Sequence, residues 1–154
     1  MSLNHFTLFA DYFQFFIQDE SANGNLSDSW NEEAVSRLLA VAPGTVGVGT
    51  VRNMDVPVSI MVLDSAPPLE LEKWDHVVDC AILVQGSRIV VAGCTDYLPD
   101  AARVEVAPGM YRVRVGYAGL ASISEDGLSG NDSYKIQLWQ AAAIVPRVLK
   151  QRAG

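Results

Sequence analysis

The feature that most constrains this chain is the two-residue alternation running from Arg103 to Trp139. Val104 and Val106 share one phase, followed by Tyr111, Val113, Val115 and Tyr117, then Tyr134, Ile136 and Leu138. Arg103, Glu105, Arg112, Arg114, Lys135 and Gln137 occupy the other. Apolar and charged residues interleaved at period two are the mark of strands with one face wet. Pro108-Gly109 supplies a turn, because proline presets φ and glycine tolerates positive φ. The stretch therefore predicts strand, tight turn, strand, a polar loop over 119–132, and a closing strand.

The rest of the chain continues the pattern. Residues 5–18 are rich in aromatic residues, with Phe13, Phe15 and Ile17 in one phase, and predict a strand or two short strands bent near Asp11. A loop over 19–29 carries Asn23-Gly24. Ser29 stands three residues before Glu32, the spacing of a capping box, and Val35, Leu38 and Leu39 recur at helical spacing. One helix is expected there, stopped by Pro43-Gly44. Thr45 to Val51 reads as a strand in which Gly47 and Gly49 admit a close neighbour. No Lys-Ser/Thr follows these glycines, so they are not a phosphate loop. Residues 56–63 form the next strand. Residues 77–84 and 88–92 read as a hairpin about Gln85-Gly86-Ser87, and 147–154 as a short helix or frayed tail. The expectation is one mainly β domain over 1–154: an antiparallel two-sheet β-sandwich of seven or eight strands, with one helix after the first strand.

Charge narrows the function. The chain carries 18 Asp and Glu against 11 Lys and Arg, a net charge of −7. The imbalance lies in residues 1–100, with 14 acidic against 4 basic residues. Such a surface disfavours nucleic acid and anionic membranes, and suits a basic protein partner. No apolar run approaches the ~20 residues needed to span a bilayer. The N-terminus lacks a basic segment before an apolar block, which predicts a cytoplasmic protein without a secretory signal.

Catalytic and cofactor signals are weak. Cys80 falls on the apolar phase of its strand and reads as a buried thiol. His76 shares that face but lies about 13 Å away at about 3.3 Å per residue. An enzyme reading would need a pocket joining Asp11, His76 or Cys80. The loop over 125–132 is oxygen-rich and offers an alternative reading as a calcium or small-ligand module, although EF-hand spacing is absent. Trp139 lies in the phase opposite Ile136 and Leu138, so the outer face of its sheet is expected. The chain is therefore read as a non-enzymatic binding protein that needs no cofactor. Its partner-contact candidates are the acidic loop residues Asp19, Glu20, Asp28, Glu70, Glu72 and Asp75. The oligomeric state is not fixed by the sequence.

The order of elements also resembles a known family. Trp30, Glu33, Ala34, Gly44, Arg52, Asn53, Pro108, Gly109, Tyr111, Asp132, Tyr134 and Ile136 stand in a pattern similar to the bacterial competence protein J family, the DNA-entry nuclease inhibitors, and to related bacterial proteins. The resemblance covers about residues 5–140. It implies a small β-sandwich that binds and inhibits a nuclease, with carboxylates imitating the phosphate track. No family motif fixes the inhibitory residues, so none is carried over.

Overall fold

The computed structural model describes residues 2–153. In chain order its elements are β1 (Ser2–Phe9), β2 (Gln14–Asp19), helix α1 (Glu32–Arg37), β3 (Leu39–Ala42), β4 (Thr45–Gly49), β5 (Asp55–Val62), β6 (His76–Val84), β7 (Arg88–Gly93), β8 (Ala102–Glu105), β9 (Gly109–Ala118), β10 (Ser133–Gln140) and β11 (Arg147–Lys150). They form two sheets, one of six strands ordered β1-β5-β10-β9-β6-β11 and one of five ordered β3-β4-β2-β7-β8. The mainly β, two-sheet architecture is as expected, but the described residues hold eleven strands rather than seven or eight, and α1 follows the second strand.

Period two places the core between the sheets. From the larger sheet, Val56, Val58, Ile60, Val78, Cys80, Ile82, Tyr111, Val113, Val115, Tyr117, Tyr134, Ile136 and Leu138 point inward; Phe15, Ile17, Val46, Val48, Ile89, Val91 and Val104 answer from the smaller. Each such side chain taken from water contributes about 1.5–3 kcal/mol. A separate cluster of Leu26, Ala34 and Ala40, with Phe16 and Trp30, covers the outer face of the smaller sheet. Gly47 is the bare backbone it needs, since a Cβ there would lie 2.8 Å from Leu26 and 3.1 Å from Trp30.

Five expectations are corrected. The stretch over 77–92 is not a hairpin, because β6 and β7 belong to different sheets. The same holds for β8 and β9 across Pro108-Gly109. Alternation reports which face is buried but not which sheet a strand joins. The sandwich is not wholly antiparallel either, since β5 and β10 pair in parallel while β9 and β10 pair antiparallel. The helix is only six residues long and is capped by Asn31, whose Oδ1 accepts from Ala34 N at 2.9 Å. It ends because Leu38 turns left-handed, with φ 60°. Leu38 O then accepts from Gly49 N and from the Tyr117 hydroxyl, and β3 begins. Val35 consequently faces solvent instead of docking on the sheet.

The last correction is the C-terminus, where Arg147–Lys150 is an edge strand on β6. Lys150 Nζ donates to Leu71 O, and Arg152 N donates to Nδ1 of the fully buried His76. His76 Nε2 lies 2.6 Å from Arg37 O, so the imidazole ties the tail, α1 and β6 together as a neutral ring.

Candidate functional site

The six acidic candidates do not converge. Asp19 is 2% exposed at the end of β2. Its carboxylate accepts from Gln85 N (2.9 Å), Gly86 N (3.0 Å) and Ser21 Oγ (2.8 Å), clamping the crossover between β6 and β7. Burial alone would raise this carboxyl, but the hydrogen bonds outweigh it and hold the group below its ordinary range. Glu20 pairs with Arg88 at 2.9 Å and approaches Arg103 at 4.0 Å. Glu70 pairs with Lys73 at 2.5 Å beside the exposed Glu72, on a connection whose Trp74 lies over Gly116 on the outer face of the larger sheet. Asp75, at the opposite end of the sandwich from Asp19, accepts from Leu120 N at 3.0 Å. Asp28 is exposed in the loop before α1.

The alternative centres do not assemble. Asp126 is held by Ser124 Oγ and Leu128 N, and Asp132 is buried against Arg52, so the carboxylates of the 125–132 loop are engaged in separate directions. Among the described residues no three His, Cys, Asp or Glu groups gather as metal ligands. Cys80 is buried, and desolvation pushes its thiol far up, with Asp79 adding to the effect. Cys94 is exposed, yet its thiol is also raised, by partial desolvation and then by Asp11 and Asp96. Neither is an activated thiolate. Asp11 accepts from Tyr12 N at the surface, beside Cys94 and close enough to raise its thiol. Trp139 does take the outer face, but it is buried there with the Arg114 guanidinium 5.1 Å from its ring centroid, and Asp79 grips Arg114 through two hydrogen bonds.

What the structure does bring together is an apolar groove at the end of the sandwich where β1 crosses to β2. Tyr12 and Phe13 both adopt left-handed backbone, each with φ 59°. Bulky residues rarely sit there, at a cost on the order of 1 kcal/mol or more each. The strained turn drives both rings outward, Tyr12 to 70% exposure and Phe13 to 46%. With Val35, 58% exposed, and Trp30, Leu38 and Gly49, they line a groove of about 320 Å³. Met54 and Leu128 are exposed on the adjoining turns.

Buried polar bonds hold these turns. Thr50 N donates to Phe13 O, Ala10 N to Met54 O, and Asn53 N to Gly127 O. Beneath them, Arg52 Nε lies 2.8 Å from Asp132 Oδ1, while the Tyr134 hydroxyl donates to Asp132 Oδ2 at 2.6 Å and accepts from Val51 N. Around the groove, the same segments carry Asp11, Glu32, Glu33, Asp55, Glu125 and Asp126. None of these has a cationic partner among the described residues. The groove escaped sequence reading because Tyr12 and Phe13 look like core aromatics; the one available signal was the Asp11 bend.

No family model and no curated protein sequence matches the chain. Its fold matches solved structures. ComJ from Bacillus subtilis, inhibitor of the DNA degrading activity of NucA, superposes with a TM-score of 0.68 at 16% identity, covering 92% of this chain and 96% of that one. Crocagin biosynthetic gene J gives 0.63 at 19% identity, covering 92% and 98%. At these identities the shared property is the fold, and the chain has the ComJ-like fold that the resemblance implied.

Proposed function

We propose that this protein is a non-enzymatic binding module that docks a basic protein through the groove end of its sandwich, and that a nuclease is the partner class. The observation that carries the reading is the pair of strained, exposed aromatic residues set among carboxylates that have no cationic partner among the described residues. Aromatic anchors in an apolar patch inside a charged rim are how protein interfaces concentrate binding energy. The carboxylates add electrostatic steering towards a cationic surface, and a DNA-degrading enzyme must present one to phosphates. The ComJ fold supports the nuclease assignment, since ComJ inhibits one. Among the described residues no helix is long and apolar enough to cross a membrane. A cytoplasmic setting fits the two unpaired cysteines.

The test is inhibition. The protein is titrated into DNA-degrading extracts of its own source, and loss of supercoiled DNA is followed at low and high salt. Saturable inhibition that weakens with salt, and is lost on Tyr12→Ala and Phe13→Ala, is expected. Each anchor removed should cost about 2 kcal/mol, roughly 30-fold in affinity. Unchanged degradation at every ratio, together with no basic protein retained by the immobilised chain at low salt, would sink the proposal.

A further inference from the structure

Four strands end the two sheets, and three of them are protected. β11 has four residues, two of them Arg147 and Lys150, and its register shifts between Val148 and Lys150. β8 has four, including Arg103 and Glu105. β3 also has four, follows α1 directly and accepts from Arg37 Nε at Leu39 O. Short length, charge, irregular register and cover are the usual means of keeping a sheet edge from pairing with another chain.

β1 is unprotected over most of its length, with only the Phe9 carbonyl at its end covered, by Gly93 of β7. Its eight residues, Ser-Leu-Asn-His-Phe-Thr-Leu-Phe, include no Lys, Arg, Asp, Glu, Pro or Gly. Pairing with β5 runs unbroken from Ser2↔Val62 to Phe9↔Asp55. Among the described residues no backbone hydrogen bond reaches β1 from its other side. Outward-facing Leu3 and Phe9 are 55% and 40% exposed.

We propose that β1 is the docking edge for a second copy of this chain, joining two six-stranded sheets antiparallel into one twofold dimer. The strand is complementary to itself in one register. Antiparallel partners must share a face, so the paired residue numbers sum to an even value. With Phe6 on the twofold axis, Leu3 meets Phe9 of the second copy, Asn4 meets Leu8 and His5 meets Thr7. Both exposed apolar side chains are then covered, and two phenylalanines meet at the centre. Centring on His5 would oppose two imidazoles and leave Phe9 unmatched.

Charge also favours a second copy over a basic partner, which gains nothing from a strand without carboxylates. The acid paired with this strand across the ladder, Asp55, sits opposite Phe9. The two copies of Asp55 would lie about 20 Å apart along the strands, beyond twice the ~8 Å screening length of physiological salt.

Sedimentation equilibrium of the full chain tests the proposal. A mass twice 16.7 kDa is expected for the wild type. Leu3→Lys and Phe9→Glu should each weaken the dimer at least tenfold with unchanged circular dichroism, both sites being exposed. Combined in one chain, they should restore it, because the register sets each new charge against its opposite in the second copy. Amide exchange over Ser2–Phe9 should also slow as protein concentration rises. A wild-type monomer at about 1 mM, the weakest useful Kd, would overturn the proposal. So would single variants that stay dimeric, or a double variant that fails to recover. None of these outcomes touches the groove.

Discussion

Replacing Asp19 should unlock the end of the sandwich remote from the groove. Its carboxylate receives backbone N–H bonds from Gln85 and Gly86, a longer one from Ser21 N at 3.4 Å, and one from Ser21 Oγ. Hydrogen bonds to a charged acceptor contribute about 1.5–3 kcal/mol each. Gln85 is exposed and Gly86 half-buried, so freed N–H groups recover part of that from water. Asp19→Ala should then cost about 3 kcal/mol, and Asp19→Asn, which presents an amide to one of the two donors, about 2 kcal/mol. In a chain of this size 3 kcal/mol lowers Tm by about 6–12 °C.

The pH dependence of this change has a definite sign. The folded carboxyl titrates below its ordinary value of 3.8, so its stabilisation is fully present above that value and is lost as pH falls through the folded one. Urea unfolding at pH 7 and near pH 3 should show the gap between wild type and Asp19→Asn shrinking in acid. A pH 7 cost under about 0.5 kcal/mol, in the range of ordinary surface substitutions, would refute the clamp. So would a gap that stays constant with pH. Because Asp19 is structural, both folded variants should match the wild type in the inhibition assay that tests the proposed function.

Three further expectations follow from named contacts. Asp132→Asn leaves the Arg52 guanidinium without its buried anion and should destabilise by about 3 kcal/mol or more, whereas Tyr134→Phe, losing one hydroxyl network, should cost about 1–2 kcal/mol by urea titration. Burial holds His76 below its ordinary 6.5, with Arg152 opposing protonation in the same sense despite the Arg37 carbonyl; the unfolded chain therefore takes up the proton first, and stability should fall as pH drops below 6.5, with amide exchange at Arg152 and β11 accelerating first. Tyr12→Asn places a residue that tolerates left-handed backbone at φ 59°, so thermal unfolding should show equal or greater stability, by up to about 1 kcal/mol, while partner affinity falls roughly 30-fold.

The sequence disclosed the burial pattern better than the connections. Tyr111, Val113, Val115, Tyr134, Ile136 and Leu138 all point into the core, as their alternation requires. The same alternation cannot tell a hairpin from a crossover, and here the difference lies in Asp19, 66 residues from Gln85 in sequence. The helix was placed by spacing and shortened by tertiary demands: Val35, Leu38 and Leu39 fit a helical stripe, yet a strand pairing from Leu39 to Val48 takes the last of them. Acidity was legible as composition, but its use was not, because Asp19, Asp79 and Asp132 spend their charge inside the fold.

The location of the groove follows from what the rest of the surface has already committed. Trp74 and its connection lie across the outer face of the larger sheet, and Trp30, Leu26 and α1 cover that of the smaller. A sandwich covered on both faces meets other molecules at its edges and ends. At the Asp19 end, the clamp closes the crossover, and Glu20 is already neutralised by Arg88 and Arg103. At the other end, the buried Arg52–Asp132–Tyr134 network fixes the turns, and the cation there is consumed internally. The outer carboxylates have no cationic partner among the described residues, and the backbone of Tyr12 and Phe13 is held in a conformation that isolated chains avoid. Strain of that kind persists only where surrounding bonds over-determine it. Here the bonds from Thr50 and Ala10 do so, and their effect is to present two rings to solvent before any partner arrives. Under the proposed docking role, such a preorganised anchor would lower the entropy lost on binding, a gain that offsets the strain.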